Sequence, residues 1–192
     1  MANILGNLNR ALLLGFVLLL LAIVGLHAGV IDRNYGIPFL VFLHVLSGIV
    51  WIGLLYYFNL VQIPTMPKVP TELKGGVSKY IAPEALFWFR WGAIATLVTG
   101  LAVAAHKGYI VEALTFQAGF RVIGTGMWLA IIMAANVWMI IWPMQQKALG
   151  LVPADDATKA ASARTAMLAS RTNFVLSLPM LYCMVTQMYL AV

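Results

Sequence analysis

Residues 11–30 read ALLLGFVLLLLAIVGLHAGV, twenty consecutive positions without a charged side chain. An α-helix rises ~1.5 Å per residue, so about 20 apolar residues cross a hydrocarbon layer roughly 30 Å thick. Four more predominantly apolar runs follow, over residues 38–63 and 172–192 without a charge, 84–105 with Glu84 and Arg90, and 116–142 with Arg121. Hydrocarbon offers backbone N–H and C=O groups no partner, so each run has to be helical to satisfy its own. The expectation is an all-α integral membrane protein, a bundle of about five transmembrane helices forming a single membrane domain over residues 1–192. The first run is longer than the ~7–15 apolar residues of a signal peptide. No small-x-small cleavage site follows it, so it is expected to stay as an anchor.

Composition agrees. Of 192 residues, 62% are hydrophobic and 9% charged, against about 25% charged in soluble domains. The net charge of +6 does not argue for a nucleic-acid partner. The basic residues stand at the ends of the apolar runs, where they mark topology and meet anionic lipid headgroups. Cys183 is the single cysteine and lies in an apolar run, so no disulfide framework exists.

Lys and Arg excess marks the cytoplasmic side. One side holds Arg10, Lys68, Lys74, Lys79, Arg90, Lys147, Lys159, Arg164 and Arg171; the other holds Arg33, Lys107 and Arg121. This bias predicts a cytoplasmic N-terminus and a periplasmic C-terminus, in a multi-pass protein of a bacterial inner membrane. Trp88 and Trp91 beside Arg90, and Trp142 near Lys147, read as interfacial anchors on the inner face. Residues 64–83, with Pro64, Pro67, Pro70, Gly75 and Gly76, are expected to be irregular, and Pro38, Pro64 and Pro143 to bound helices. Pro-Ala-Asp-Asp at 153–156 signals a helix start. That helix should run over about 155–171 into the last span as one rod, with Pro179 as a possible kink site.

Gly92, Thr96 and Gly100 recur every fourth residue, as do Gly126, Ala130 and Ala134. Small residues on one face let helices approach closely in lipid. Three histidines exist, His27, His44 and His106, and the topology places all of them toward the outer face with Arg121. His44 lies six residues into the second run, roughly 9 Å deep at ~1.5 Å per residue. Intramembrane imidazole is costly, and imidazoles from facing helices hold b-type haem or bind copper or zinc. Met180, Met184 and Met188 form a ladder at helical spacing. Core filling is the plain reading of such a ladder, although a thioether can ligate haem iron or Cu(I), and Met188 matches His44 in depth. The candidate cofactor-binding residues are therefore His44, His106, Met188, His27 and Arg121, with His44, His106 and Met188 as metal ligands. Asn136, Asn173 and Gln187 should cross-link helices, and the indoles of Trp51 and Trp128 each need an acceptor. No phosphate loop, nucleophile–base pair, carboxylate dyad or CxxC is present, so any haem would be bound without covalent attachment.

The run His44-Val-Leu-Ser-Gly-Ile-Val-Trp51-Ile-Gly53 resembles the second-helix signature of small membrane redox families, among them the membrane protoporphyrinogen oxidases and the copper-resistance D-type proteins. Three further stretches are similar to the membrane-bound, cytochrome c-linked urate oxidases, or urate hydroxylases. These are Lys79-Tyr80-Ile-Ala-Pro with Leu86-Phe-Trp-Phe-Arg90-Trp91, then Asn136-Val-Trp-Met-Ile-Ile-Trp-Pro143-Met-Gln-Gln-Lys147, and Asn173-Phe-Val-Leu-Ser177-Leu-Pro179. The resemblance implies a membrane domain that in longer members is joined to a C-terminal cytochrome c domain. With Val192 as its last residue, the chain is expected to be a shortened relative without that domain. Gly92 stands where the family has an acidic residue, Thr172 where it has a histidine, and Met188 where it has a later histidine.

Three functions follow as expectations. One is a small redox-type protein binding haem b, or alternatively copper, near the outer face and passing electrons to a cytochrome c or a larger membrane complex. Another is a non-catalytic accessory subunit of such a complex. The third is a urate or purine oxidase using an external cytochrome c. Loss of a carboxylate and a histidine ranks the third last.

Overall fold

The computed structural model describes residues 2–31 and 35–190. Every regular element among them is helical. Four helices are long and apolar enough to cross a membrane: α1 (Leu8–Val30), α2 (Gly36–Lys68), α3 (Thr71–His106) and α4 (Arg121–Ala148). A fifth, α5 (Asp156–Thr186), is 31 residues long. It carries Lys159, Arg164 and Arg171 in its first half and Asn173 and Ser177 in its second, which lowers its apolar character. The chain divides into two compact units, Met1–Phe39 and Leu40–Val192.

In the first unit Asn7 caps α1, its side chain accepting from the Arg10 N–H at 3.2 Å. The Arg10 guanidinium donates to the Asn3 carbonyl at 3.1 Å. No residue of Leu8–His27 is buried. Arg33, one of the three outer basic residues in the charge count, lies outside the described residues.

In the second unit the small-residue stripes do what their spacing predicts. A Cβ on Gly92 would sit 3.3 Å from the Trp51 nitrogen, and one on Gly100 would sit 2.8 Å from the His44 ring. As α2 advances from 44 to 51, α3 retreats from 100 to 92, so the two are antiparallel neighbours. Gly126 likewise faces Cys183 and Met184 of α5, where a Cβ would meet atoms at 3.1 and 3.4 Å. Asn173 Nδ2 donates to the Met133 carbonyl at 2.9 Å, and Asn136 Nδ2 donates to Asn173 Oδ1 at 2.7 Å and to the Ala169 carbonyl at 2.9 Å. Gln187 accepts from the Ile123 N–H at 2.7 Å and donates to the Gly119 carbonyl at 3.0 Å, closing the start of α4. The three amides thus cross-link helices as expected.

The rods do not stop at their prolines. Three π-helical turns, Tyr57–Gln62, Val77–Ile81 and Val137–Ile141, each end two positions before Pro64, Pro83 or Pro143. A proline lacks the N–H for its own turn, and its ring crowds the carbonyl four residues back. Widening the preceding turn to i→i+5 bonding relieves that crowding while the helix continues. Residues 64–83, expected to be irregular, are therefore helical apart from Val69 and Pro70, and Pro64 and Pro143 do not bound helices. The rod from Asp156 to Thr186 runs through Pro179 as one helix, with Asp155 as its cap.

Candidate functional site

His44 sits half-buried on α2, its ring lodged in the space that Gly100 leaves on α3. Its Nδ1 lies 2.9 Å from the Thr96 carbonyl oxygen. A carbonyl can only accept, so Nδ1 carries the proton and the Nε2 lone pair is left over. Thr99 Oγ1 stands 3.4 Å from the same nitrogen. Nε2 has no hydrogen-bond partner among the described residues. A histidine whose one nitrogen is fixed by a carbonyl while the other is bare has the tautomer and orientation of a metal-ligating imidazole.

No hydrogen bond joins another candidate to it among the described residues. His106 is the exposed last residue of α3, six residues beyond Gly100, or about 9 Å along the helix. Met188 lies past the end of α5 and is 86% exposed. Arg121 is exposed at the first position of α4, where its carbonyl accepts from Thr125 Oγ1 at 2.8 Å. His27 belongs to the first unit, where Nδ1 and the Tyr35 hydroxyl are 2.7 Å apart. No cluster of three or more His, Cys, Asp or Glu suited to a metal ion exists among the described residues. Of the methionine ladder, Met180 is 4% exposed and packs in the core, with Met184 against it.

Several polar groups come together that the sequence reading passed over. Asn59 Nδ2 donates to the Leu55 carbonyl and to Ser170 Oγ, both at 2.9 Å. Ser177 Oγ and the Tyr56 hydroxyl are 3.2 Å apart. A polar residue inside an apolar run was the available signal for Asn59 and Gln62. The Arg90 guanidinium lies over the Trp142 ring at 3.9 Å, and Trp138 Nε1 donates to the Arg90 carbonyl at 3.2 Å. Cation–π stacking of this kind shelters a cation that has no carboxylate beside it among the described residues. Trp128 Nε1 finds the Leu114 carbonyl at 3.0 Å. Trp51 Nε1, fully buried, finds no acceptor among the described residues.

Long apolar helices, with many large apolar side chains exposed and a few hydrogen-bonded polar ones buried, define a helical protein suited to contact with a lipid bilayer. Residues 103–192 match the protein-family model described as urate oxidase N-terminal. The resemblance read from the motifs therefore holds over the C-terminal part of the chain, which includes the stretches starting at Asn136 and Asn173. His106, Arg121 and Met188 fall inside the matched segment, and His44 falls before it. No curated protein and no solved structure matches the chain.

Proposed function

We propose that this chain is a five-span inner-membrane redox-type subunit related to the urate oxidase membrane domain, with its N-terminus cytoplasmic and its C-terminus periplasmic. Its role is to carry a b-type haem near the outer face and to exchange electrons with a cytochrome c or a larger membrane complex. The observation that supports this is the His44 imidazole, held through Nδ1 by the Thr96 carbonyl at 2.9 Å with Nε2 left for iron. Bound haem would supply one-electron chemistry. His44 would hold it, and His106 or Met188 would be the candidates for a second ligand. Copper is the alternative occupant of the same donors.

The purified protein should give a b-type reduced-minus-oxidised spectrum. His44→Ala should lose that spectrum while the chain still inserts, because the apolar runs that drive insertion are unchanged. Haem kept by His44→Ala would reject the ligand assignment. Metal analysis of the same sample separates iron from copper.

A second reading has its own support. His106 and Met188 are exposed, and the Asn136–Asn173 amides bind only other helices. Both facts suit an accessory subunit whose interior is structural. A flat spectrum together with a stoichiometric membrane partner would favour it. Urate turnover with added cytochrome c would instead favour an oxidase.

A further inference from the structure

Within the second unit lies a cavity of about 110 Å³, walled by α2, α3, α4 and α5. Phe58, Leu86, Phe89 and Ile141 form much of its apolar lining, and Gln62, Gln145 and Ser170 are its polar members. Phe58 meets Phe89 edge to face at 5.6 Å. Among the described residues no charged side chain lines it. Gln62 Oε1 is buried and unpartnered among the described residues, and so is Asn59 Oδ1, one hydrogen bond behind the wall through Ser170. Leaving a buried acceptor unmade costs ~1–3 kcal/mol, and native structures keep such groups few. Two in adjoining turns, beside a cavity, mark a place where a donor belongs.

The backbone points to the same spot. π-Helical turns gather at functional sites, and two of this protein's three described π turns supply residues of this wall, while the third ends one residue before it. Tyr57–Gln62 supplies Phe58 and Gln62, Val137–Ile141 supplies Ile141, and Val77–Ile81 leads directly into Ala82, another lining residue. An extra residue in a turn changes which side chains face inward, and Gln62, the last residue of Tyr57–Gln62, is one that faces the cavity.

We propose that this cavity binds an uncharged single-ring molecule bearing O–H or N–H donors, of the hydroquinone type. A charged ligand would be desolvated with no counter-charge. A volume near 110 Å³ is well under the ~300–1,000 Å³ of pockets for drug-sized ligands, so one ring fits and a fused pair does not. The ring lies against Phe58 and Phe89, and its donors satisfy Gln62 Oε1 directly. The site is separate from His44 and requires no haem.

The test uses the full chain in lipid nanodiscs, titrated calorimetrically with hydroquinone and with 1,4-dimethoxybenzene, which keeps the ring and lacks the donors. Hydroquinone should bind at least tenfold more tightly. Gln62→Met, which keeps the side chain's length and removes the amide, should erase that preference with no loss of thermal stability. Ala163→Phe, at an exposed position on the lining, should block both compounds; it serves as the second variant if Gln62→Met does not fold. Equal binding of the two compounds, or a preference that survives Gln62→Met, would overturn the proposal, as would binding unaffected by Ala163→Phe. A hydroquinone with a decyl tail separates the sources: binding retained points to a membrane-dissolved ring, binding lost to a water-soluble one.

Discussion

Gly100 packs so closely against the His44 ring that no room is left for a methyl group. A Cβ at Gly100 would lie 2.8 Å from the ring carbon Cε1 and 3.0 Å from Nδ1. Gly100→Ala should therefore destabilise the chain by about 1–3 kcal/mol, the usual cost of overpacking. Gly53, also mid-helix, has nothing within 4 Å, so Gly53→Ala should stabilise by about 0.5–1 kcal/mol through the ordinary helix preference. Thermal unfolding in one detergent compares the two, and the same sign for both would refute the close-approach account. The Asn136–Asn173 bond of 2.7 Å should show, in a double-alanine cycle, a coupling of about 0.6–1.7 kcal/mol, the range for hydrogen bonds between membrane helices. Zero coupling would mean the bond is ornamental. At this scale the sequence was partly legible. The glycine stripe and the three cross-linking amides announce themselves by spacing and by polarity inside apolar runs. The acceptor for His44 does not, because a backbone carbonyl such as that of Thr96 carries no sequence signature.

Elements were legible in kind and less so in extent. Apolar length gave the rods, while the prolines misled, since ending a helix and widening one turn of it both begin with the same missing N–H. Which outcome occurs depends on whether neighbouring helices hold the rod in line. Pro143→Ala should let the turn before it tighten to i→i+4 bonding and rotate Ile141 away from the cavity, read as slower amide exchange over residues 137–143. Unchanged exchange would show that the π turn has another cause. At the start of α5 the Asp155 carboxylate accepts from the Thr158 N–H and from its hydroxyl, both at 2.8 Å. The Thr158 backbone bond, then the side-chain bond, holds this carboxyl below its ordinary value. A carboxyl whose folded pKa is depressed stabilises fully above its unfolded value, ~3.9, and ceases to as pH falls through the folded value. The first turn of α5 should accordingly fray in acid. Asp155→Asn, which keeps a capping acceptor and cannot titrate, should remove that pH dependence of Thr158 amide protection, corrected for intrinsic exchange.

At the scale of the whole molecule, apolar side chains fill the core and also cover the outside, and on α5 small and polar residues take the inward positions. On α5 the buried positions are Ser162, Ala166, Ser170, Asn173, Ser177 and Met180, spaced three or four apart, while Val175, Leu178, Tyr182 and Val185 are exposed. Water would reverse that arrangement; hydrocarbon favours it, because small and polar groups then pair within the bundle. The charge bias makes a separate, global prediction. Gly108→Cys, in the turn after α3, should react with a membrane-impermeant thiol reagent from outside, and Gly150→Cys, after α4, only once the membrane is opened. Both measurements need Cys183 replaced first, and the reverse pattern would invert the topology.

Sequence alone determined that the chain is helical and fit for lipid, because hydrocarbon length and backbone satisfaction are properties of local runs. It also supplied the urate oxidase resemblance, which the family match supports over residues 103–192. Only the tertiary structure decided which side chains meet: His44 with the Thr96 carbonyl, Asn59 with Ser170, and a cavity lined by Gln62. Those meetings depend on helix register, on close approach at Gly92 and Gly100, and on the extra residue in each π turn, and they join positions from 52 to 111 residues apart. No local pattern encodes a contact of that kind, because each partner is set by how two rods pack.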